Sequence, residues 1–211
     1  MDPLRARLTR ARLYLVMGVG TKNPPMSYRI AEAALKGGVD ILQLRDYTLS
    51  DSRLLEAAHR FRILTRRRKK LFVVNNRPDI AILSKADGVH VGQDDLPVDQ
   101  VRKLVGKDML IGLSTHALSE AKRALKSGAD YIGVGPVHAT PTKAGRQAVG
   151  LRYVRQVAAL GPKIPFFAIG GIDPGNLPEV LGAGATRVAV VRAITEAKDP
   201  FSAAKALKEA L

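Results

Sequence analysis

The sequence predicts an α/β protein folded as a closed barrel of eight parallel strands surrounded by helices, the (β/α)8 or TIM barrel. Two observations predict it. Short apolar runs rich in β-branched residues alternate with longer helical patterns, and eight of each can be counted. The strands are apolar almost throughout, as in parallel sheets that are covered on both faces. An open, doubly wound sheet has the same alternation, so the count of eight favours the barrel.

The predicted elements alternate regularly along the chain. The strands are residues 13–19, 41–44, 71–74, 88–91, 110–113, 131–134, 166–169 and 187–191. The helices are residues 28–36, 52–66, 78–83, 98–105, 118–126, 151–160, 178–181 and 201–211. Turns such as residues 36–40 and 126–130 contain glycine, which adopts the left-handed conformation that ends many helices. No break in composition marks a second domain, so residues 1–211 are predicted to form one barrel domain.

Charge and composition narrow the classes of function. The 211 residues include 34 Lys and Arg, 19 Asp and Glu and no cysteine, and the net charge is +15. Without cysteine there is no disulfide, thiolate metal ligand or cysteine nucleophile. Clustered cations can bind nucleic acid. Aromatic residues are only 5% of the chain, however, and no nucleic-acid-binding motif occurs, so an anionic small molecule is the predicted partner, with no nucleic acid.

The amino-terminal apolar run, residues 13–19, decides the expected location. It is too short to span a membrane and has no small-residue cleavage site after it, so it is interpreted as a strand. A cytoplasmic protein without a membrane partner is the expectation. The sequence leaves open whether the protein forms a homo-oligomer.

Polar and glycine-rich clusters follow most of the predicted strands, where a barrel of this type carries its functional site. They are residues 43–47, 75–77, 92–95, 114–116, 135–143, 170–171 and 192. Because the carboxyl ends of all strands meet at one rim, we expect these clusters to converge there. A ligand site explains so many polar groups at one rim better than contact with solvent does.

Three of these clusters suit anions, although each also has a structural interpretation. Gly170 and Gly171 could form a tight turn, but the loops after strands seven and eight are the usual phosphate site of this fold. Residues 140–143 offer two hydroxyls and a cation on a loop stiffened by proline, or a polar surface loop. Arg45 could pair with Asp46, yet arginine at a strand end also suits bidentate phosphate binding.

The remaining clusters leave more open. Asp94 and Asp95 could cap a helix or hold Mg²⁺, which proteins bind with few carboxylates plus substrate phosphates. His90 and His116 lie at predicted strand ends, where an imidazole can hydrogen-bond a heteroaromatic ligand or carry protons. A purely structural role at the barrel mouth stays open for both. His59 lies on a helical pattern and is expected at the surface.

Taken in order, these motifs resemble those of the thiamine-phosphate synthase family, from Arg12 to Leu211. The matching segments are residues 43–46 (QLRD), 92–97 (GQDDLP), 112–116 (GLSTH), 135–136 with 140–143 (GP, TPTK), 168–172 (AIGGI) and 190–194 (VVRAI). The resemblance implies a transferase that joins 4-amino-2-methyl-5-hydroxymethylpyrimidine diphosphate to thiazole phosphate, giving thiamine phosphate and pyrophosphate. It also implies a dissociative mechanism, in which pyrophosphate leaves before the thiazole nitrogen captures the pyrimidine cation.

The resemblance assigns roles to individual residues. It implies that the pyrimidine diphosphate is bound by Gln43, Arg45, Tyr47, Asn75, His90, Ser114 and Lys143. Of these, it implies catalytic roles for Arg45, Ser114 and Lys143. It implies that the thiazole phosphate is surrounded by Thr140, Thr142, Gly170, Gly171, Val191 and Arg192. The positions that would hold Mg²⁺ are Asn76 and Asp95.

Three positions depart from the family pattern. Tyr47 stands where the family usually has lysine, and Asn76 stands where it usually has aspartate. The first strand runs through residues 16–18 (VMG), where family members often have a Thr-Asp pair. These departures fall in the diphosphate and metal half of the site, and the thiazole-phosphate half is intact.

Two other interpretations therefore stay open. One is the thiazole tautomerase paralogue of the family, in which His116 would be the acid and base. The other is a binding protein that holds phosphorylated thiazole or thiamine without turnover. The retained motifs at residues 92–95 and 140–143 favour the synthase.

Overall fold

Eight parallel strands close into a barrel in the computed structural model, which describes residues 2–20, 23–140 and 147–211. They are β1 (Leu13–Met17), β2 (Ile41–Leu44), β3 (Leu71–Asn75), β4 (Gly88–Val91), β5 (Leu110–Thr115), β6 (Tyr131–Val134), β7 (Phe166–Ile169) and β8 (Val188–Val190). Each strand pairs with the next in sequence, and β8 pairs in parallel with β1. The predicted (β/α)8 barrel is thereby confirmed.

Helices connect the strands and pack around the barrel. Those described are α1 (Pro3–Arg10), α2 (Pro24–Lys36), α3 (Asp51–Arg67), α4 (Pro78–Leu83), α5 (Val98–Val105), α6 (Leu118–Ala124), α7 (Gly150–Ala159), α8 (Leu177–Gly182), α9 (Arg192–Thr195) and α10 (Pro200–Ala210). In the described ranges, no helix is both long and apolar enough to cross a lipid bilayer.

The sequence did not predict α1 or α9. Helix α1 begins after Asp2, whose carboxylate accepts a hydrogen bond from the Leu4 N–H at 3.0 Å, and Pro3 occupies its first turn. Leu8 is its buried residue. One buried position gives no apolar periodicity, so the basic segment before β1 showed no helical pattern. Helix α9 has four residues, too few for a periodic signal.

The core has an inner and an outer layer. In β1, Tyr14 and Val16 belong to the inner cluster inside the barrel, while Leu13, Leu15 and Met17 pack in the larger cluster with the helices. This alternation follows from the two-residue period of a strand. The inner cluster also contains Ile41, Leu71, Val73, Leu110, Tyr131, Phe167 and Ala189. These side chains fill the lower barrel, and the space above them is the cavity described below.

Buried carboxylates join the connections that precede the strands. Asp130 accepts hydrogen bonds from Arg5 at 2.8 Å and from Arg102 at 2.7 Å. Asp87 accepts one from Arg62 at 2.7 Å. Part of the large basic excess therefore stabilises the amino-terminal side of the barrel, away from the strand ends that carry the predicted site.

Asp40 is expected to make stability depend on acid pH. Burial by itself would raise the pKa of this carboxyl. The Arg12 N–H at 2.9 Å and the ammonium groups of Lys208 and Lys70 outweigh burial and hold the pKa below its ordinary 3.8. A carboxyl whose pKa is lowered by folding stabilises the protein above its unfolded pKa, and this contribution is lost as the pH falls through the folded pKa.

We expect Asp40→Asn to lower the free energy of unfolding at pH 7 by about 2 kcal/mol, between typical values for exposed and buried ion pairs. Urea unfolding at several pH values would measure this, and the variant should lose less stability than the wild type below about pH 4. Asp108→Asn is the matched control, because Asp108 is exposed. Equal losses from both substitutions would contradict the assignment.

Candidate active site

A cavity of about 490 Å³ opens at the carboxyl ends of the strands. Every strand contributes a residue to its lining: Val16, Gln43, Asn75, His90, Ser114, Gly133, Ile169 and Val190. The barrel thus brings residues that are far apart in the sequence to one mouth, which is where this fold carries its functional sites.

The predicted site residues meet at this mouth. Those that line the cavity are Gln43, Arg45, Tyr47, Asn75, Asn76, His90, Asp95, Ser114, Thr140, Gly170, Gly171, Val191 and Arg192. Thr142 and Lys143 lie outside the described residues. The shared location is a fact of the structure, while the role of each residue stays a prediction.

Arg45, Tyr47 and Asn75 form a cluster at the β2–β3 side of the rim. The guanidinium carbon of Arg45 lies 4.8 Å from the centroid of the Tyr47 ring, a cation–π contact. The Asn75 amide donates a hydrogen bond to the Tyr47 hydroxyl at 3.0 Å. Tyr47 is 65% exposed, so these two contacts are what orient its ring at the rim. Tyr47 brings no charge, but it contacts Arg45 and Asn75, two of the other residues predicted to bind the pyrimidine diphosphate.

Asp46 does not neutralise Arg45, which corrects the structural interpretation of that arginine. The Asp46 carboxylate accepts hydrogen bonds from the N–H groups of Val19 and Gly20 at 2.8 and 2.7 Å, and from Thr48. Burial would raise the pKa of Asp46, but these bonds outweigh it and lower the pKa. Arg45 forms no ion pair within the described part of the chain, so its guanidinium is available to an anion.

Asn76 and Asp95 lie next to each other at the ends of β3 and β4. The Asn76 amide donates to one Asp95 oxygen at 2.9 Å, and the Gly92 N–H donates to the other at 2.7 Å. Asn76 has a φ of +47°, a left-handed conformation that asparagine adopts more readily than most residues. Helix α5 has Pro97 at its amino terminus and no side-chain cap, so a helix-capping role for Asp95 is wrong.

This pair fits the requirements of Mg²⁺, although the described residues contain no group of three or more His, Asp or Glu side chains that could hold a metal. Asp95 offers carboxylate oxygens and Asn76 an amide oxygen, and both line the cavity. Mg²⁺ prefers such hard oxygen ligands, and it commonly keeps only one or two from the protein.

A continuous chain of hydrogen-bonded side chains crosses the floor of the cavity. The Gln43 amide nitrogen lies 2.6 Å from the Tyr14 hydroxyl, which lies 2.9 Å from the Tyr131 hydroxyl. Tyr131 lies 3.1 Å from Nδ1 of His90, and Nε2 of His90 lies 2.9 Å from the Ser114 hydroxyl. Five residues on five strands are joined in this way.

Sequence reasoning missed Tyr14 and Tyr131 as site residues. Both occur in strands that are apolar almost throughout, where nothing distinguishes the inner face from the outer one. A tyrosine in each of two otherwise aliphatic strands was the available signal, but using it requires knowing which face each side chain occupies. Burial raises the pKa of both phenols, so both stay protonated.

Gly170 and Gly171 follow β7 with φ values of +108° and +63°. A Cβ on Gly171 would lie 2.8 Å from the His138 side chain and 3.0 Å from the Ala139 carbonyl oxygen. The loops after β6 and β7 therefore pack against each other in a way that requires glycine. Asn176 donates to the Gly171 carbonyl at 2.7 Å and so fixes the far side of this turn.

His116 lies just after β5 and also lines the cavity. Its backbone N–H donates to the Glu120 carboxylate at 2.7 Å, and its ring Nδ1 is hydrogen-bonded to the Gly135 carbonyl oxygen. A carbonyl oxygen only accepts, so Nδ1 carries the hydrogen and Nε2 is the basic nitrogen of the neutral ring.

The closed parallel barrel and the polar cavity at its carboxyl-terminal mouth define the class of (β/α)8-barrel enzymes. Within that class, residues 13–194 match the family described as thiamine monophosphate synthase. The chain belongs to this family, which confirms the resemblance seen in the sequence motifs.

Individual relatives agree with the family match. The chain is similar to thiamine-phosphate synthase of Streptomyces avermitilis, with 51% identity over 205 residues that cover 97% of this chain and 95% of that protein. It is also similar to thiamine-phosphate synthase of Gloeobacter violaceus, with 52% identity over 197 residues. That match covers 93% of this chain but 56% of the relative, so the chain spans little more than half of the Gloeobacter protein.

The fold comparison gives the same family. The chain is similar to the solved structure of thiamine phosphate pyrophosphorylase from Pyrococcus furiosus, with a TM-score of 0.84 and 32% sequence identity. The match covers 98% of this chain and 96% of the other.

Proposed function

We propose that this protein is a thiamine-phosphate synthase, which joins the pyrimidine diphosphate to thiazole phosphate and releases pyrophosphate. One observation carries the proposal: Arg45, Asn75 and Ser114 share a single cavity with Gly171 and Arg192. A reaction between two phosphorylated molecules requires that both are held with their reacting atoms facing each other. Membership of the thiamine monophosphate synthase family supports the same activity.

The first proposed step is departure of pyrophosphate from the methylene carbon of the pyrimidine. The C–O bond breaks, its electron pair leaves with the diphosphate oxygen, and a pyrimidinylmethyl cation remains. Negative charge grows on the leaving oxygen, so positioned hydrogen-bond donors and cations lower the barrier. In this proposal Arg45 and Ser114 supply such groups, and Lys143 is a third on the strength of its motif alone. Gln43, Tyr47, Asn75 and His90 complete the pocket for the pyrimidine diphosphate.

The second proposed step is capture of that cation by the thiazole nitrogen. Its lone pair forms the new C–N bond, and the ring becomes the positively charged thiazolium of thiamine phosphate. No proton is transferred, which agrees with a mouth rich in donors and cations rather than in acid–base pairs. The thiazole phosphate would be held by Gly170, Gly171, Thr140, Thr142 and Arg192, with Val191 beside it. Enclosure of the cation in the barrel mouth would keep water away from it.

Mg²⁺ in this proposal is held by Asp95 and Asn76 and would neutralise charge on the departing pyrophosphate. Asn76 provides an oxygen but no charge, so the site should bind Mg²⁺ more weakly than two carboxylates would. The 2.9 Å hydrogen bond from the Asn76 amide nitrogen to Asp95 places the two side chains next to each other, which supports a shared site once the Asn76 amide turns its oxygen towards the ion.

We expect Asn76→Asp to lower the Mg²⁺ concentration that gives half-maximal activity by about tenfold, because it adds a charged ligand to a hard-ion site. Titration of the initial rate with Mg²⁺ would measure this. Asn23→Asp is the matched control: it makes the same charge change in the loop after β1, and Asn23 does not line the cavity. An unchanged Mg²⁺ dependence in Asn76→Asp would contradict the metal assignment.

The proposed activity is tested by incubating the purified protein with both substrates and Mg²⁺. Pyrophosphate and thiamine phosphate should form in equal amounts and only when both substrates are present. No pyrophosphate from saturating substrates would contradict the synthase assignment.

The second candidate function is thiazole tautomerisation, and the position of His116 favours it. Its Nε2 is the basic nitrogen, and the ring lines the same cavity as the proposed thiazole-phosphate residues. Proton exchange into thiazole phosphate without pyrophosphate release would establish this alternative. Tight binding of thiamine phosphate with neither reaction would indicate a binding protein instead.

A further inference from the structure

The hydrogen bonds that link Gln43, Tyr14, Tyr131, His90 and Ser114 form a buried hydrogen-bond chain. All its donors can point the same way along it, and the two tyrosines control which way that is. We propose that Tyr14 and Tyr131 are positioning residues that hold His90 in one tautomer, so that the Ser114 hydroxyl donates its hydrogen into the cavity. The consequence for turnover rests on the proposed synthase function, but the tautomer itself does not.

The direction is set at Gln43. An amide nitrogen can only donate, so the Tyr14 oxygen, 2.6 Å away, is the acceptor. Either hydroxyl could donate in the 2.9 Å bond between Tyr14 and Tyr131, and we infer that Tyr14 donates because the Tyr131 oxygen is the acceptor that the described residues offer to its hydrogen. In the same direction, Tyr131 gives its own hydrogen to Nδ1 of His90 at 3.1 Å. In this direction each hydroxyl accepts one bond and donates one, whereas the reverse direction would leave the buried Tyr14 hydrogen without an acceptor among the described residues.

The tautomer of His90 follows from this direction. Because Nδ1 accepts, the hydrogen of the neutral ring lies on Nε2, which donates to the Ser114 oxygen at 2.9 Å. Ser114 then keeps its own hydrogen for a ligand. A diphosphate carries acceptors only, so a donor is what it requires at this position. If the hydrogen bonds pointed in the opposite direction, Ser114 would donate to His90 and present lone pairs to the diphosphate.

Gln43, at the other end of the hydrogen-bond chain, suits a pyrimidine with an amino group. With its nitrogen on Tyr14, Gln43 turns its amide oxygen elsewhere, and that oxygen has no hydrogen-bond partner among the described residues. Gln43 lines the cavity, so this oxygen can accept from a ligand N–H. One arrangement therefore presents an acceptor at Gln43 and a donor at Ser114.

Tight packing holds the side chains of this hydrogen-bond chain in place. Tyr14 and Tyr131 are 2% and 1% exposed, and both rings make edge contacts with Phe167. A Cβ on Gly112 would overlap the Tyr131 phenol and lie 2.5 Å from Nδ1 of His90. Glycine at this position of β5 is thus what allows the phenol and the imidazole to meet.

Nitrogen NMR of protein labelled at histidine tests the proposal directly, with the His90 signals assigned from a His90→Gln variant. We expect His90 at pH 8 to be neutral, with hydrogen on Nε2 and none on Nδ1. Tyr131→Phe removes the donor to Nδ1, so the signals should shift towards a mixture of tautomers. Loss of this buried hydrogen bond should also lower kcat/KM for the pyrimidine diphosphate by about tenfold. Tyr14→Phe removes the hydroxyl that fixes the direction of the Tyr131 hydrogen and should shift the His90 signals the same way, but by less than Tyr131→Phe, because Tyr131 can still donate to Nδ1.

Tyr153→Phe is the matched control. Tyr153 is also buried, and its hydroxyl donates to the Thr115 hydroxyl at 2.7 Å, but it does not line the cavity. This variant should lose stability as Tyr131→Phe does, while the His90 signals and kcat/KM stay at wild-type values. Hydrogen on Nδ1 of His90 in the wild type, or unchanged His90 signals in Tyr131→Phe, would overturn the proposal. Because the tautomer is read without substrates, absence of pyrophosphate release would reject the proposed function and leave this inference standing.

Discussion

Arg45→Gln is expected to lower kcat for pyrophosphate release by about a thousandfold, the upper range for removing one positioned donor from a developing anion. Arg45 lines the cavity and has no ion-pair partner within the described ranges, so in the proposed mechanism its charge acts on the departing diphosphate. Glutamine keeps a donor of shorter reach but removes the charge that the departing diphosphate needs. The effect should fall on kcat more than on KM, because most of the negative charge develops as the C–O bond breaks. Steady-state rates with both substrates varied would separate the two constants.

Arg77→Gln is the control for loss of a cation at the same rim. Arg77 is bound by Asp51 at 2.7 Å and by Asp79 at 2.6 Å and does not line the cavity. Its replacement should change kcat by less than about twofold, since surface ion pairs contribute little. If both arginine variants lost activity equally, general charge rather than contact with the leaving group would be responsible.

Gly171→Ala is expected to raise KM for thiazole phosphate by about a hundredfold, the scale of loss for a ligand group displaced by about 1 Å. The added methyl would lie 2.8 Å from the His138 side chain and 3.0 Å from the Ala139 carbonyl, so the β6 and β7 loops would have to separate. KM for the pyrimidine diphosphate should change much less, because its proposed ligands Arg45 and Asn75 lie across the mouth.

Gly161→Ala is the control that separates the effect of backbone strain at a positive φ from the effect of the steric clash at Gly171. Gly161 also has a positive φ, +57°, but a Cβ there would meet nothing within 4 Å. This variant should lose about 1 kcal/mol of stability from the left-handed conformation and keep both KM values. A normal KM for thiazole phosphate in Gly171→Ala would show that the phosphate binds elsewhere.

The sequence was sufficient to predict the barrel and the location of the candidate site, for one physical reason. Parallel strands linked by crossovers place all their carboxyl ends on one rim. A residue at the end of a strand in the sequence, such as Arg45 or Ser114, can therefore be assigned to that rim. Which side chains contact each other within the rim could not be predicted in this way. Arg45 and Asp46 are neighbours in sequence, yet Arg45 lines the cavity while the Asp46 carboxylate binds the backbone after β1.

The floor of the cavity could not be predicted for a related reason. Tyr14 and Tyr131 are 117 positions apart and meet only because β1 and β6 both direct these side chains into the barrel. A strand that is buried on both faces shows no alternation of polar and apolar residues, so the sequence does not reveal which face is internal. Helices α1 and α9 were missed because each buries too little surface to leave a periodic pattern.

A crystal structure with thiamine phosphate and pyrophosphate bound together would test the central claim, that one barrel mouth holds both phosphorylated groups. We predict pyrophosphate within hydrogen-bonding distance of Arg45, Asn75 and Ser114, and the phosphate of thiamine phosphate beside Gly171 and Arg192. Density for the two ligands on separate surfaces of the barrel would contradict it.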